Sequence, residues 1–231
     1  MFDAIAVRYD LLNHLLSAGC DRRWRARAVT ALDLTGKEAI LDVCTGTGDL
    51  GLGARQGAVR ARRVIGIDFS SAMLKIAQEK VRRAGLESSM PLIRADASRL
   101  PIRDASVDGV TIAFGIRNVQ DRAAVCAEMY RVLRVGGHLA VLELSLPRLP
   151  GLRAVYLWYF RRVLPLIGRL FSGHPTAYVY LPESVSAFAT PGQFENELRS
   201  SGFGGVDAVQ LSVGVVYLFV AVKTAGGSPR T

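Results

Sequence analysis

The feature that most constrains the fold is a short apolar segment that runs directly into a glycine-rich turn. Residues 39–43 read Ala-Ile-Leu-Asp-Val, and the turn Cys-Thr-Gly-Thr-Gly-Asp follows at 44–49. A second apolar segment, 64–68, ends in Asp68 and is followed by a stretch of helical periodicity at 71–84. Short strands that alternate with helices are typical of a parallel sheet covered on both faces. This part of the chain therefore predicts an α/β fold.

The alternation continues toward the C-terminus. The same pattern predicts strands at 91–94, 107–113 and 138–144 and a helix at 121–133. Near the end, 206–211 and 215–222 are expected to form an antiparallel pair that closes the sheet. Together these segments predict a mostly parallel, seven-stranded, Rossmann-like sheet with helices on both faces.

Two segments lie outside this repeat. Residues 2–31 are predicted to form two helices divided near Ser17 and Gly19, and 150–200 contains an aromatic, basic helix followed by a loop rich in Gly and Pro. We expect one domain with an N-terminal helical cap, a helical insertion that serves as a lid, and a disordered tail. The corresponding ranges are 1–224 for the domain, 1–36 for the cap, 150–200 for the lid and 225–231 for the tail.

Composition and cysteine usage narrow the class of protein. Half of the 231 residues are hydrophobic, which excludes a disordered chain. The longest apolar stretch, 213–222, falls short of the roughly 20 residues that a membrane-spanning helix needs. No secretory signal is recognisable at the N-terminus. The three cysteines, Cys20, Cys44 and Cys126, form neither a disulfide framework nor a zinc pattern, so we expect no metal site and a reduced, intracellular protein.

The net charge of +9 comes almost entirely from arginine. Basic clusters attract nucleic acid or an anionic membrane surface, and they also occur on ordinary solvated surfaces. Charge alone does not decide among these three, and we favour the solvated surface.

The turn after the first strand has the features of a nucleotide site. Its glycines allow a sharp bend and close approach of a ligand, and the next helix points its N-terminus at that position. Asp68 lies 20 residues after Gly48, where a carboxylate can accept hydrogen bonds from both ribose hydroxyls. Asp96, after the third strand, can accept one from an adenine amino group, with the Ala97 N–H reaching a ring nitrogen. The alternatives are that Asp68 caps the next helix, where Ser70 or Ser71 serves equally, and that Asp96 is an ordinary loop acid.

Two cofactors compete for this turn. Residues 46–51 match G-x-G-x-x-G, which is typical of dinucleotide sites, but Asp49 would repel a pyrophosphate there. The chain also has no Tyr-x-x-x-Lys pair, and two predicted helices precede its first strand. A cofactor with sulfonium and ammonium groups would instead be attracted by Asp42 and Asp49. S-adenosylmethionine meets that requirement.

The chain resembles the UbiE family of quinone-biosynthesis C-methyltransferases. The most distinctive motif is Phe114-Gly115-Ile116-Arg117-Asn118-Val119, and the likeness extends from Phe2 to about Val222. The other motifs that carry it are Phe2-Asp3-x-Ile5-Ala6-x-x-Tyr9-Asp10, Gly46-Thr47-Gly48-Asp49, Asp68-x-Ser70-x-x-Met73-Leu74, Asp96-Ala97-x-x-Leu100-Pro101, Leu142-Glu143-x-Ser145 and Tyr178-x-Tyr180-Leu181.

The resemblance implies a class I fold that uses S-adenosylmethionine to methylate a ring carbon of a polyprenylated quinol. The expected substrate is demethylmenaquinol, which gives menaquinol; in some organisms the family also methylates a methoxy-benzoquinol precursor of ubiquinone. The family often has serine where Ala113 stands, so only a backbone contact is expected there. The implied cofactor-binding residues are Tyr9, Gly46, Thr47, Gly48, Asp49, Asp68, Phe69, Asp96, Ala97 and Ala113.

For the reaction we hypothesise that a quinol hydroxyl loses its proton, the ring carbon attacks the methyl group, and that carbon then loses its hydrogen. Arg117 and Asn118 are the candidate catalytic residues, because they follow the fourth strand at the edge where such sites lie. Arg117 would stabilise the quinolate oxygen or orient a water. The alternative is that it pairs with an acid such as Asp121 to fix the loop. His174 is a weaker candidate base, and His14 is expected to be structural.

The aromatic helix at 155–160, followed by Arg161 and Arg162, is expected to cover the isoprenoid tail, with its arginines facing lipid phosphates. The resulting expectation is a cytoplasmic protein with peripheral contact at the inner face of the membrane, no nucleic-acid partner, and a homodimer as a candidate assembly. Two other functions stay open. One is a methyltransferase for another small acceptor, such as a sterol-like or polyketide ring, and the other is a nucleotide-sugar or NAD-dependent protein.

Overall fold

The computed structural model describes residues 14, 17, 19–57, 60–147, 149–159, 162 and 176–226. Seven helices and seven strands are described within these ranges. The helices are α1 (Cys20–Thr30), α2 (Asp49–Gln56), α3 (Ser71–Arg83), α4 (Arg122–Val132), α5 (Pro150–Trp158), α6 (Thr176–Ala187) and α7 (Pro191–Ser200). The strands are β1 (Ala39–Val43), β2 (Arg63–Asp68), β3 (Leu92–Arg94), β4 (Val107–Ala113), β5 (Leu133–Leu144), β6 (Gly204–Leu211) and β7 (Val216–Val222).

All seven strands form one sheet, in the order β3-β2-β1-β4-β5-β7-β6. The pairs from β3 to β5 are parallel, and β7 runs antiparallel to both of its neighbours, β5 and β6. The prediction of a mostly parallel, seven-stranded sheet closed by an antiparallel pair is confirmed. The strand order reverses between β1 and β4, which opens a crevice at their carboxyl ends.

Alternation along the strands separates two cores, one on each face of the sheet. In β1, Leu41 and Val43 face one core and Ile40 faces the other. Helices α4 and α7 pack on the first face and α1, α2 and α3 on the second. Successive strand residues point to opposite faces, so an apolar strand covered on both sides reads as a continuous hydrophobic run. Helices on both faces are therefore confirmed.

Helices α3 and α4 each begin at a side-chain cap that the sequence offers. The Ser70 hydroxyl accepts a hydrogen bond from the Met73 N–H at 3.1 Å, at the start of α3. The Asp121 carboxylate accepts one from the Ala124 N–H at 2.9 Å, at the start of α4. Both bonds satisfy helix N–H groups that otherwise have no partner within the helix. Ser70 is therefore the cap of α3, and the alternative cap at Asp68 is wrong.

Strand β5 begins five residues earlier than its sequence pattern predicts. Leu133 pairs with Val107 and His138 pairs with Gly109, so β5 carries extra residues over this interval. Gly136 lies in that interval with φ of +81°, and a Cβ at Gly137 would lie 2.9 Å from the carbonyl oxygens of Arg134 and Asp108. The two glycines thus mark an irregularity within β5, where the sequence suggested a break before it.

Apart from residue 14, the predicted first N-terminal helix lies outside the described residues, as does most of the predicted tail. Among the helices that the structure describes, none combines the length and apolar character needed to cross a membrane.

Candidate functional site

A cavity of about 430 Å³ lies at the carboxyl edge of the sheet, at the point where the strand order reverses. Its walls come from the residues that follow four parallel strands. They are Cys44 and Gly46 after β1, Ile67, Asp68 and Phe69 at β2, Ala95, Asp96, Ala97 and Ser98 after β3, Ala113, Phe114, Gly115, Asn118, Val119, Gln120 and Asp121 after β4, and Met73 of α3. Its position and volume are those of a small-molecule site in an open α/β sheet.

The glycine-rich bend forms one wall of this cavity. Gly46 and Gly48 have φ values of +56° and +86°, which are left-handed conformations that glycine adopts without strain, and Cys44 has a φ of +51° at the start of the bend. The Asp68 Oδ2 accepts a hydrogen bond from the Gly46 N–H at 2.8 Å. The bend is thereby fixed against the end of β2.

The two acids predicted to recognise adenosine both line the cavity. Asp68 also accepts from the Ser70 N–H at 2.8 Å, so backbone donors hold both of its oxygens. The Asp96 Oδ1 accepts from the Ser98 N–H and hydroxyl, both at 2.8 Å. These bonds hold the pKa of Asp96 below its ordinary value, so it is ionised and able to accept hydrogen bonds at neutral pH.

Phe69 presents an exposed aromatic ring at the mouth of the cavity. Its side chain is 69% exposed, which is unusual for phenylalanine. The Arg94 guanidinium lies 5.8 Å from the ring centroid, and its Nε donates to the Phe69 carbonyl at 3.0 Å. A large apolar surface that is held in place in this way suits a flat ligand.

Asp42 does not lie where the cofactor argument placed it. Its carboxylate is buried beneath the bend and accepts hydrogen bonds from the hydroxyls of Thr45, at 2.5 Å, and Thr111, at 2.7 Å. Burial raises the pKa of Asp42 to about 6, although these hydrogen bonds oppose the rise. The prediction that Asp42 attracts the positive charge of a cofactor is therefore corrected. Asp42 instead has a structural role, in which it supports the bend from below.

Asp49 faces a second cavity. Its Oδ1 lies 2.6 Å from the Lys80 Nζ, and its Oδ2 lies 3.9 Å from a guanidinium nitrogen of Arg25. With these residues it lines a space of about 930 Å³ between α1 and α2. Neither Asp49 nor its neighbours Thr47 and Gly48 are among the described residues that line the first cavity. Their contact with a cofactor stays a prediction.

The two candidate catalytic residues have different surroundings. Asn118 lines the first cavity, and its Nδ2 donates to the Phe114 carbonyl at 3.2 Å. The Arg117 side chain is only 7% exposed and pairs with the fully buried Glu143, with 2.6 Å between Nη1 and Oε1. The acid that pairs with Arg117 at this distance is thus Glu143, whereas Asp121, the acid suggested from the sequence, caps α4.

Neither of the described histidines, His14 and His138, lines this cavity. The His14 Nδ1 lies 2.8 Å from Asp21, which agrees with a structural role. His174 and Tyr9 lie outside the described residues, so their predicted roles stay predictions.

Sequence reasoning missed several cavity residues and the partner of Arg117. In the sequence, Phe114 and Gly115 stand out only as part of the family motif. In the structure Phe114 adopts a φ of +58°, which is rare for a bulky residue. A Cβ at Gly115 would lie 2.5 Å from the Cys44 Cβ, so the two loops approach each other too closely for a side chain there. The sequence signal that could have indicated this close approach is the Phe-Gly pair directly after the predicted fourth strand. Glu143 carried no such signal beyond its place in a motif.

Comparison with known proteins identifies relatives that share this fold and the family to which the chain belongs. A family model described as the ubiE/COQ5 methyltransferase family matches residues 1–223. A "Ubiquinone/menaquinone biosynthesis C-methyltransferase UbiE" of Geotalea uraniireducens is 42% identical over 96% of this chain and 94% of its own length. A "Demethylmenaquinone methyltransferase" of Thermus thermophilus is 48% identical over 88% and 91%, respectively.

A solved structure of a SAM-dependent methyltransferase from Thermotoga maritima has a TM-score of 0.66, covers 96% of this chain and 98% of its own, and is 19% identical. That likeness bears on the fold alone. Fold and family together define an S-adenosylmethionine-dependent methyltransferase with the class I architecture. The chain belongs to the ubiE/COQ5 methyltransferase family, which implies that it binds S-adenosylmethionine.

The buried Asp42 makes stability depend on pH in a defined direction. Its folded-state pKa of about 6 exceeds the ordinary 3.8, so between these values the native protein holds a proton that the unfolded chain has released. The stabilisation is fully present below about pH 4 and is lost as pH rises through 6. We expect the free energy of unfolding of the wild type, relative to Asp42→Asn, to fall by about 2 kcal/mol between pH 4 and 7. Urea denaturation of both proteins across this range measures it, and a constant difference would contradict it.

Proposed function

We propose that this protein transfers the methyl group of S-adenosylmethionine to a ring carbon of demethylmenaquinol, which gives menaquinol. The observation that carries the proposal is the meeting of two adenosine-recognising acids, Asp68 and Asp96, with the family-specific loop 114–118 around one cavity. The Thermus relative, at 48% identity, bears the name of this activity.

The residues around the cavity fit S-adenosylmethionine. Asp68 would accept hydrogen bonds from the ribose hydroxyls, and Asp96 with the Ala97 N–H would hold the adenine edge. The exposed Phe69 ring offers a stacking surface for the adenine. The proposed cofactor-binding set is Tyr9, Gly46, Thr47, Gly48, Asp49, Asp68, Phe69, Asp96, Ala97 and Ala113. When bound, the cofactor supplies an electrophilic methyl group.

The chain's contribution to the reaction would be to orient the acceptor and to stabilise charge on it. Asn118 lies where the cofactor cavity meets the loop after β4, so its amide can orient a ring oxygen. Arg117, which is paired with Glu143, would act on the acceptor by holding the loop that carries Asn118. Holding two reactants in an aligned geometry accounts for a large part of such an acceleration.

The names of other relatives point to a second candidate acceptor for the methyl group. The Geotalea protein is named for both ubiquinone and menaquinone biosynthesis. The benzoquinol precursor of ubiquinone is therefore the alternative acceptor, and it requires the same cofactor site.

The outer surface of α5 supports peripheral membrane contact. Val155 and Trp158 are 61% and 60% exposed, and Leu149, just before the helix, is 60% exposed. Tyr156 and Tyr159 pack inward against Val185. Residues 146–170 hold five arginines and no acidic residue. An exposed apolar surface with basic residues nearby matches an anionic bilayer, where a polyprenylated quinol resides.

Three further expectations form part of the proposed function. The protein is cytoplasmic, residues 1–224 form a single domain, and the protein assembles as a homodimer.

Transfer of a labelled methyl group tests the activity. We expect label in demethylmenaquinol supplied in its reduced form and none in the oxidised quinone, because only the quinol ring is a good nucleophile. The Asp68→Asn variant should lower transfer about tenfold or more when S-adenosylmethionine is limiting, since a charged acceptor is lost. The matched change at the exposed Asp207 should have no effect. Label in neither quinol would contradict the proposal, and label in the benzoquinol alone would select the alternative acceptor.

Sedimentation with lipid vesicles tests the membrane contact. Val155→Asp should weaken binding to vesicles rich in anionic lipid about fivefold or more, because it places a negative charge against the lipid phosphates. Val135→Asp is the matched control, since Val135 is also 61% exposed but lies on β5. Equal binding by both variants would contradict a membrane surface at α5.

A further inference from the structure

Glu143, the residue before the last in β5, is a fully buried acid near the cavity. Its side chain is 0% exposed. The Oε1 accepts from the Arg117 Nη1 at 2.6 Å and from the Leu144 N–H at 2.8 Å, and the Oε2 accepts from the Arg117 N–H at 3.2 Å. Arg117 therefore contacts Glu143 through both its side chain and its backbone.

A contribution to the stability of the fold is a weak explanation for a buried ion pair of this kind. Taking two charges out of water costs free energy that their attraction recovers only in good geometry, and well-packed apolar residues often serve the fold as well. A buried pair of this kind fixes a specific arrangement of the chain. What it fixes is given by the other partners of Arg117.

Those partners join the cavity to the helical lid. The Arg117 Nη1 also donates to the Phe114 carbonyl at 2.7 Å, and its Nε donates to the Ser184 hydroxyl of α6 at 3.4 Å. The Asn118 amide donates to the same Phe114 carbonyl. Phe114 and Asn118 both line the cavity, and Phe114 is held at a left-handed φ that it would otherwise avoid.

We propose that Glu143 is a positioning residue for methyl transfer: it holds Arg117 so that the loop 114–118 and helix α6 keep the arrangement in which the acceptor ring is aligned with the cofactor. Glu143 acts through Arg117 and touches neither reactant. This inference rests on the proposed function and adds to it the residue that sets the geometry of the acceptor side.

The test compares Glu143→Gln with a matched variant, Glu197→Gln. Glu197 also forms an ion pair with an arginine, Arg122, at 2.9 Å, but that pair joins α4 to α7 away from the cavity. We expect Glu143→Gln to lower kcat about tenfold or more, while the dissociation constant for S-adenosylhomocysteine changes less than about threefold. Glu197→Gln should leave both quantities within twofold.

A double-mutant cycle separates action through Arg117 from a general loss of structure. In an Arg117→Ala background, Glu143→Gln should cause little further loss of kcat, because residues that act as a unit are not additive. The same fold-loss of kcat in both backgrounds would overturn the proposal, as would wild-type kcat in Glu143→Gln.

Hydrogen exchange gives a readout that needs no quinol. Amides of 114–119 should exchange faster in Glu143→Gln than in the wild type, and unchanged exchange there would overturn the proposal. If Glu143→Gln does not fold, the double variant Glu143→Met with Arg117→Met leaves no buried charge and should fold. That variant should bind S-adenosylhomocysteine and lack turnover; full turnover would overturn the proposal. If the wild type does not transfer the methyl group, the proposed function is wrong. The hydrogen-exchange result would still show whether Glu143 holds the loop 114–118.

Discussion

The hydrogen bond from the Gly46 N–H to the Asp68 carboxylate is the interaction on which the site depends. It joins the bend after β1 to the end of β2, at the point where the strand order of the sheet reverses. Without it the bend would lose the partner that fixes its left-handed conformation beside the cavity. One acid thus both shapes the cavity and presents a charged acceptor to it, which explains why a carboxylate suits this position.

Burial assigns different tasks to the acids near the bend. Asp96 is exposed and ionised at the mouth of the cavity, whereas Asp42 lies beneath the bend with a raised pKa. Glu143 is buried as well, but Arg117 neutralises it. The acids able to meet a cationic ligand are therefore those at the rim, and the buried ones support the loops that form the walls.

Much of the fold follows from local pattern. The predicted bounds of β1 and β4 agree with the structure, because a strand buried on both faces is a continuous apolar run. The 20-residue spacing placed Asp68 at the cavity since consecutive parallel strands end at one edge. The pairing of Arg117 with Glu143 could not be predicted, because it joins residues 26 positions apart through the packing of β4 against β5. The burial of Asp42 was missed for the same reason: depth is a property of the packed sheet.

The most direct measurement is a calorimetric titration of the purified protein with S-adenosylhomocysteine and, in parallel, with NAD⁺. An acid-lined bend that recognises adenosine without accommodating a pyrophosphate should bind S-adenosylhomocysteine in a one-to-one ratio and give no heat with NAD⁺. Saturable binding of NAD⁺ with no response to S-adenosylhomocysteine would contradict the account of the site.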